Sequence, residues 1–131
     1  MRTIRKAFLA SFLALAVLFL LSSCNLLGSI FNPLLGSWEK SVTSSGVTYT
    51  ADYTFNYDNT WSETQTAGGT QTDSASGTFT QDTSAKTITL VGTDTYNSNT
   101  YSVNLTLTYS INGSVLTLRS TTNWSASLNR K

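Results

Sequence analysis

Apolar and polar residues alternate along two stretches of this chain. Between Val47 and Tyr57 every second residue is Val, Ala, Tyr or Phe and the residues between them are polar, and the stretch from Tyr101 to Tyr109 repeats the pattern. Because successive side chains of a strand point to opposite faces, this alternation predicts two β-strands that each have one apolar and one solvated face. No window after residue 34 shows the spacing of an amphipathic helix.

Gly, Asn, Asp and Ser residues divide the rest of the chain into further short strands. We expect eight antiparallel strands, at residues 35–43, 47–57, 60–66, 75–80, 86–92, 100–111, 114–121 and 124–129. Residues 67–74, which contain Gly68 and Gly69, are predicted to form a mobile hairpin tip. Consecutive strands can remove their exposed edges by closing, so the predicted fold class is all-β, a small antiparallel up-and-down β-barrel of about eight strands.

One hairpin can be placed in register from its loop residues. Asn112-Gly113 is a strong signal for a two-residue loop, because both residues tolerate a positive φ. Such a loop sets Tyr109 opposite Leu116, so that both strands place their apolar side chains on one face. The loop length and the apolar parity therefore favour the same pairing.

The turn at Asp58 and Asn59 is predicted to be longer. A two-residue loop would place Trp61 on the polar face, whereas a three-residue loop with Asn59 left-handed pairs Phe55 with Trp61. The longer loop also puts Glu63 on the inner parity. A carboxylate in an apolar barrel needs a hydrogen-bonding partner or a raised pKa, so Glu63 is the acidic residue of most interest.

The first 24 residues have the pattern of an export signal. Residues 1–6 are rich in Arg and Lys, and residues 7–21 form an apolar run that is short for a transmembrane helix. The run leads into the sequence Leu-Ser-Ser-Cys that ends at Cys24, which resembles a bacterial lipoprotein lipobox. We therefore predict a lipoprotein signal peptide at residues 1–23, with an ordinary signal peptide and a chance cysteine as the alternative.

The lipoprotein resemblance implies a membrane anchor. Cys24 would be diacylated through its thiol, become the new N-terminus and then be N-acylated, and several acyl chains hold a protein firmly. Residues 24–33 would be the lipidated cysteine and its tether, and residues 34–131 the barrel domain. Asn25 lacks the Asp that lipoproteins retained at the inner membrane often carry, so we expect the outer membrane, on its periplasmic side or at the cell surface. Cys24 is the only cysteine, so its lipidation leaves no disulfide.

Composition excludes several classes of function. After the signal, five basic residues stand against seven acidic ones, whereas a nucleic-acid partner requires a basic surface. The sequence contains no histidine, which excludes Ser-His-Asp triads and zinc sites built on His. Glu39 and Glu63 could form a glycosidase pair, but surface or turn roles explain them better. The other acids considered lie in predicted turns, where Asp caps the backbone: Asp58, Asp73, Asp82 and Asp94. We expect neither catalysis nor a cofactor.

The start of the barrel region resembles lipocalins. Gly36 and Trp38 form the G-x-W that opens the first strand of that family, and the hairpin at residues 55–61 fits the short lipocalin-like domains of bacterial lipoproteins. The resemblance implies that Trp38 closes one end of the barrel and packs against an arginine from a late strand, either Arg119 or Arg130. It covers the whole predicted barrel, which is shorter than a full lipocalin and contains no T-D-Y motif.

The apolar parity of the two clearest strands supplies the candidate ligand-binding residues. If the barrel is open at one end, their side chains line a cavity suited to an amphiphile, with tyrosine hydroxyls available to a polar group. The other interpretation is that they simply fill a small barrel. The candidates are Tyr49, Tyr53, Phe55, Tyr57, Trp61, Glu63, Tyr101, Val103, Leu105, Leu107 and Tyr109.

Three functions are compatible with these patterns. The first, which we favour, is a lipid-anchored lipoprotein of the cell envelope whose lipocalin-like barrel binds a small hydrophobic or amphiphilic ligand without catalysis. The second is a structural or interaction lipoprotein with a filled barrel, whose Thr- and Ser-rich exterior binds another envelope protein. The third is a transmembrane barrel, because apolar-out and polar-in alternation gives the same pattern.

Overall fold

The structure is a computed structural model that describes residues 32–131. These residues form eight β-strands and no helix, so the predicted all-β class is confirmed. The strands are β1 (Gly36–Ser44), β2 (Val47–Phe55), β3 (Thr60–Ala67), β4 (Thr70–Asp82), β5 (Thr87–Tyr96), β6 (Asn99–Asn112), β7 (Val115–Arg119) and β8 (Ser125–Arg130). Within this part of the chain, no helix is long and apolar enough to cross a membrane. Cys24 and the predicted signal peptide lie outside the described residues.

The strands form a closed barrel in sequence order, as the predicted up-and-down topology requires. Each strand pairs antiparallel with the next, and β8 pairs with β1 through Trp38 opposite Arg130. Closure satisfies the backbone groups that an open sheet would expose at its edges. The β1–β2, β3–β4, β5–β6 and β7–β8 turns lie at one end, which we call the mouth. The other three turns lie at the opposite end, which we call the Trp38 end.

Alternation along the strands separates an apolar interior from a hydroxyl-rich exterior. The fully buried core side chains include Leu34, Trp38, Phe55, Ile88, Leu107, Leu116, Leu118 and Leu128. On the outside, hydroxyl groups of neighbouring strands hydrogen-bond in pairs, as between Ser41 and Thr50 (2.9 Å) and between Thr89 and Thr106 (3.0 Å). The apolar parity therefore faces inward, which is the reverse of the arrangement that the transmembrane alternative requires.

Trp38 fills its end of the barrel. Its indole Nε1 donates a hydrogen bond to the Leu34 carbonyl (2.8 Å), and the Arg130 guanidinium lies over its ring, 4.1 Å from the centroid. Arg130 Nη1 also donates to the Leu35 carbonyl (2.9 Å). Arg130 is thus the arginine that contacts Trp38, because β8 pairs with β1, whereas Arg119 is exposed at the mouth end of β7.

Gly36 makes room for this arginine. Its φ is +119°, and a Cβ at this position would lie 3.0 Å from Arg130 Nη1. A side chain here would be strained by the backbone conformation and would press on the guanidinium. Gly36, Trp38 and Arg130 therefore belong to one contact at the Trp38 end.

Strands β4 and β5 approach each other closely at one pair of glycines. Gly77 and Gly92 lie directly opposite each other, and a Cβ on Gly77 would lie only 1.9 Å from the Val91 carbonyl oxygen. Trp61 lies opposite Gly77 on β3, and its Nε1 donates to that same carbonyl at 3.3 Å. The indole therefore crosses β4 at the glycines, which leave it the space to reach β5.

The turn between β2 and β3 has the predicted geometry. Asn59 has a φ of +63°, and Phe55 pairs with Trp61, as the three-residue loop requires. The Asp58 carboxylate accepts a hydrogen bond from the Thr60 backbone N–H at 3.0 Å. This contact is the backbone-capping role predicted for Asp58.

The hairpin between β6 and β7 turns one residue later than predicted. Its loop residues are Gly113 and Ser114, with Gly113 at a φ of +59°, so Tyr109 pairs with Leu118 and not with Leu116. Glycine takes the positive φ at the first loop position without steric cost, so the loop is placed on Gly113. The register changes by two residues, which preserves parity and leaves the apolar faces aligned.

Residues 67–74 contain a tight turn and the start of a strand, not a mobile tip. Gly68 and Gly69 supply the positive φ values that the turn needs, +58° and +83°, and β4 begins at Thr70. Strand β5 likewise continues past Gly92 to Tyr96, since Gly92 remains paired within the sheet. Two aspartates predicted to lie in turns, Asp73 and Asp94, are consequently strand residues.

Candidate functional site

A cavity of about 150 Å³ opens into the mouth of the barrel. Strands β2 to β6 supply most of its wall, and the turn between β7 and β8 adds Trp124. The residues that line it are Tyr53, Trp61, Glu63, Ala75, Leu90, Asp94, Val103, Leu105, Leu107 and Trp124. The cavity thus combines an apolar floor with acidic and aromatic groups.

The floor of the cavity is the upper surface of the barrel core. Trp61, Leu90 and Leu107 are almost completely buried, and Ala75 adds a small side chain beside them. The short Ala75 side chain leaves space that larger core residues fill nearer the Trp38 end. Leu105, at 41 % exposure, borders the opening. An apolar group that enters the mouth would therefore meet carbon atoms on several sides.

Strand pairing places two carboxylates, those of Glu63 and Asp94, in the wall of the cavity. Tyr53, Glu63, Ala75, Asp94 and Tyr101 are consecutive cross-strand partners on β2 to β6, and all lie on the inner parity. Direct partners in a sheet lie side by side, so this row places Glu63 and Asp94 on either side of Ala75. Both acids therefore line the cavity together with Ala75.

A third carboxylate, Asp73, lies one row closer to the opening. It precedes Ala75 by two residues on β4, which makes it a diagonal neighbour of both Glu63 and Asp94. Desolvation, followed by interactions with the Asp94 and then the Glu63 carboxylates, raises the pKa of Asp73 to about 6. One oxygen of each aspartate, Oδ1, is buried and accepts no hydrogen bond from the described chain.

Tyr53 and Gln65 are the polar neighbours of Glu63. Gln65 donates a hydrogen bond from Nε2 to Glu63 Oε1 at 2.8 Å. Burial is the main cause that raises the pKa of Tyr53 well above its ordinary range, and the adjacent Glu63 carboxylate raises it further. Tyr53 therefore stays protonated and can donate a hydrogen bond.

The described part of the chain contains no group of three His, Cys, Asp or Glu side chains arranged to hold a metal ion. Glu39 and Glu63 are the carboxylate pair that glycosidase chemistry would require. Glu39 lies on the outward parity of β1, whereas Glu63 lies on the inward parity of β3. Glu39 forms an ion pair with Lys131, with Oε2 3.1 Å from Nζ. Glu39 and Glu63 are therefore not on the same face of the sheet.

The structure brings six of the sequence-derived candidates together and leaves five elsewhere. Those that line the cavity are Tyr53, Trp61, Glu63, Val103, Leu105 and Leu107. Phe55 instead packs edge-on against Phe79, with ring centroids 5.4 Å apart. Tyr109 accepts a hydrogen bond from Gln81 (2.6 Å), and Tyr57 is a turn residue at 75 % exposure. These three lie at the Trp38 end. Sequence parity could not separate them from the cavity residues, because parity specifies the face of a residue but not its height in the barrel.

Tyr49 and Tyr101 lie at the mouth but outside the cavity. Tyr49 lines a separate groove on β1 to β4 with Lys40 and Gln65, and Tyr101 is exposed near the start of β6. A larger space of about 450 Å³ lies by the β4 and β5 ends, but polar side chains dominate its lining. The cavity over Trp61 is therefore the enclosed apolar site of the three.

Sequence analysis missed four lining residues: Ala75, Leu90, Asp94 and Trp124. Ala75 and Leu90 lie within the predicted strands 75–80 and 86–92, on the parity of the buried Phe79 and Ile88, but are not among the candidates from sequence analysis. Asp94 shares that parity but lies beyond the predicted end of β5 at Gly92.

Trp124 follows a turn in which Asn123 has a φ of +65°, and the Trp124 N–H lies 3.3 Å from Ser120 Oγ. It begins the predicted strand 124–129 on the parity of the buried Ala126 and Leu128, although the observed β8 starts one residue later, at Ser125.

Comparison with known proteins finds no match for this chain among protein-family models, curated proteins or solved structures.

Proposed function

We propose that this protein binds a small hydrophobic or amphiphilic molecule in the mouth cavity, without catalysis, as a lipid-anchored lipoprotein of the cell envelope with a lipocalin-like barrel. The observation that carries the proposal is the apolar cavity of about 150 Å³ above Trp61 and Leu107. A cavity of this size holds one benzene-sized ring. The ligand, or the part of it that enters, is therefore a single ring or a short aliphatic group.

The cavity walls favour an amphiphile over a purely apolar ligand. Its floor is carbon-rich, whereas Glu63, Asp94 and the Tyr53 hydroxyl are the polar groups that border it. A ligand with a polar group at one end could bury its apolar part and keep that group near these side chains. The partly exposed Trp124 and Leu105 border the path of entry.

The anchor and the location rest on the sequence. Lipidation of Cys24 would hold the barrel at a membrane surface, which we expect to be the outer membrane. The tether would leave the barrel outside the bilayer, where its hydroxyl-rich exterior suits contact with water. Ligand binding would then take place in the envelope, close to the membrane that holds the protein.

Benzyl alcohol tests the cavity. Full-length protein labelled with 5-fluorotryptophan has three ¹⁹F signals, one for each tryptophan. Benzyl alcohol is expected to shift the Trp61 and Trp124 signals saturably, with a dissociation constant in the millimolar range or tighter, because both rings line the cavity. The Trp38 signal is expected to stay in place, because the Trp38 side chain is completely buried and does not line the cavity.

An enlarged side chain on the floor supplies the matched variant. Ala75→Ile fills the cavity and is expected to abolish the Trp61 shift, whereas Ser76→Ile, on the outward parity of the same strand, is expected to retain it. If Ala75→Ile does not fold, Leu105→Tyr at the opening replaces it. Absence of saturable shifts in the folded wild-type protein would overturn the proposal and favour a filled barrel that acts through its exterior.

Cys24 is tested by metabolic labelling with a fatty acid that carries an alkyne. Wild-type protein is expected to incorporate the label and to have an intact mass that begins at Cys24, whereas Cys24→Ala is expected to lose the label completely because the chain has no other thiol. Ser23→Ala keeps a small residue before the cysteine and serves as the control. Label retained in Cys24→Ala would contradict the anchor.

A further inference from the structure

We infer that the mouth cavity selects a cationic amphiphile, a small apolar group that carries an ammonium or a comparable protonated nitrogen. This inference rests on the proposed function and adds the charge of the ligand to it. The structure brings carboxylates, aromatic faces and an apolar floor together in one opening. The carboxylates and aromatic faces favour a cation over a neutral or anionic group, and the apolar floor favours a ligand with an apolar body.

The charge balance at the site is negative. Glu63 and Asp94 line the cavity, and Asp73 lies beside them on the next row. The ion pairs formed within residues 32–131 join Lys131 to Glu39 and to Asp52, on the outside of the barrel. No lysine or arginine is among the residues that line this cavity.

The basic residues of the described chain have other surroundings. Arg130 stacks on Trp38, and the Lys86 ammonium lies 5.9 Å from the centroid of the Tyr109 ring at the Trp38 end. Lys40 is exposed and lines the separate groove with Tyr49. Arg119 is exposed on the outward parity of β7, opposite Thr108, and does not line the cavity. The charge of the three carboxylates is thus left for a ligand or for solvent ions to balance.

Aromatic faces add a second attraction for a cation. Tyr53, Trp61 and Trp124 line the same cavity as Glu63 and Asp94. A cation over an aromatic face is attracted by the ring quadrupole, and Trp gives the strongest interaction of this kind. Aromatic rings also pack against the apolar part of the ligand, so the same side chains serve both halves of an amphiphilic cation.

Buried oxygen atoms point to a hydrogen-bond donor in the ligand. Oδ1 of Asp73 and Oδ1 of Asp94 are buried and, while both carboxylates are ionised, receive no donor from the described residues. Carboxylate oxygens act only as acceptors when ionised, so a neutral acceptor or an anion cannot satisfy them. The N–H groups of an ammonium can, and a buried acceptor without a donor is costly.

Three probes of similar shape test the inference: benzylammonium, benzyl alcohol and benzoate. Dissociation constants are measured on full-length protein from the ¹⁹F shifts of Trp61 and Trp124, at neutral pH and low ionic strength. Benzylammonium is expected to bind at least about fivefold more tightly than benzyl alcohol, because ion pairing and cation–π attraction add to burial of the ring. Benzoate is expected to bind most weakly.

Removal of the two lining carboxylates is the matched variant. Glu63→Gln combined with Asp94→Asn is expected to reduce the preference for benzylammonium over benzyl alcohol to less than about twofold. The substitutions remove the ion pairing of the ammonium, whereas both probes still contact the same apolar floor. Glu39→Gln, on the outside of β1, is the control and is expected to keep the full preference. An unchanged Trp38 signal shows that each variant is folded.

Acidification provides a second readout of the same charges. Asp73, with its pKa raised to about 6, lies directly opposite Tyr96 on β5 and diagonal to Glu63 on β3 and Asp94 on β5. Farther away are Tyr53 on β2 and Lys40, which pairs with β2 from β1. As the pH falls from neutral to about 5, Asp73 takes up a proton and the preference for benzylammonium is expected to shrink. Asp73→Asn is expected to show a smaller change over the same interval.

The outcomes separate the inference from the proposed function. Benzyl alcohol or benzoate binding as tightly as benzylammonium would overturn the cationic selectivity and leave the cavity in place. A preference that survives in the double variant would overturn its assignment to Glu63 and Asp94. No binding of any probe would overturn both.

Discussion

Gly92→Ala is expected to lower the free energy of unfolding by about 3 kcal/mol or more, because the new methyl group has no room. A Cβ on Gly92 would lie 2.0 Å from the Ser76 carbonyl oxygen and 2.8 Å from Gly77 Cα. Both contacts are with backbone atoms of β4, so a side-chain rotation cannot relieve them. The two strands would have to separate at the point where Trp61 reaches across to β5.

Chemical denaturation of the full-length protein measures this loss. Gly46→Asn is the control, because Gly46 lies in an exposed turn at a φ of +79°, where a Cβ would meet nothing within 4 Å, and Asn tolerates that conformation. It is expected to cost less than about 1 kcal/mol. A Gly92→Ala loss no larger than that of the control would contradict the close approach of β4 and β5.

Trp38→Ala is expected to cost about 3 to 5 kcal/mol in the free energy of unfolding. Trp38 is completely buried, and its removal leaves a large space between Leu34 and the core. The substitution also removes the indole donor to the Leu34 carbonyl and the aromatic face on which Arg130 stacks. Packing, a hydrogen bond and a cation–π contact are lost together.

Two further variants separate these contributions. Trp38→Phe keeps most of the apolar volume but loses the hydrogen bond, so its cost is expected to lie well below that of Trp38→Ala. Trp124→Ala removes a tryptophan that is 45 % exposed at the mouth, and it is expected to cost less than about 1 kcal/mol. Equal losses for Trp38→Ala and Trp124→Ala would contradict the role of Trp38 in closing the barrel.

Most of the fold can be predicted from the sequence, because apolar and polar residues alternate regularly along the strands. The stretch from Val47 predicts an inward apolar face, and the longer loop at Asn59 follows from keeping Trp61 on that face. Both are observed. Because the strands are consecutive, the need to satisfy their edges makes closure the expected arrangement.

Only some of the residues that line the cavity can be predicted from this alternation. Parity gives the face of a residue, but the height of each side chain depends on how far every hairpin extends. Phe55 and Leu105 share the inner face, yet Phe55 lies in the core and Leu105 borders the mouth. The distinction arises from strand pairings around the whole barrel, which no local pattern contains.

Sequence analysis wrongly predicts that Asp73 and Asp94 lie in turns, because nearby glycines make the predicted strands too short. Gly68 and Gly69 are so strong a turn signal that they predict too long a loop, which leaves Asp73 outside a strand. Gly92 predicts the end of β5, although it pairs within the sheet and the strand continues to Asp94 and beyond. A glycine inside a strand can mark close approach of two backbones as well as a strand end.

The most direct test of the central proposal is to locate bound benzyl alcohol by nuclear Overhauser effects to methyl-labelled leucines in the full-length protein. Ring protons of the probe are expected to contact the methyl groups of Leu90, Leu105 and Leu107, which line the cavity. They are expected to give none to Leu116, which is buried in the core outside it. Contacts confined to other leucines, or no contacts at a saturating concentration of the probe, would contradict a ligand site in the mouth of the barrel.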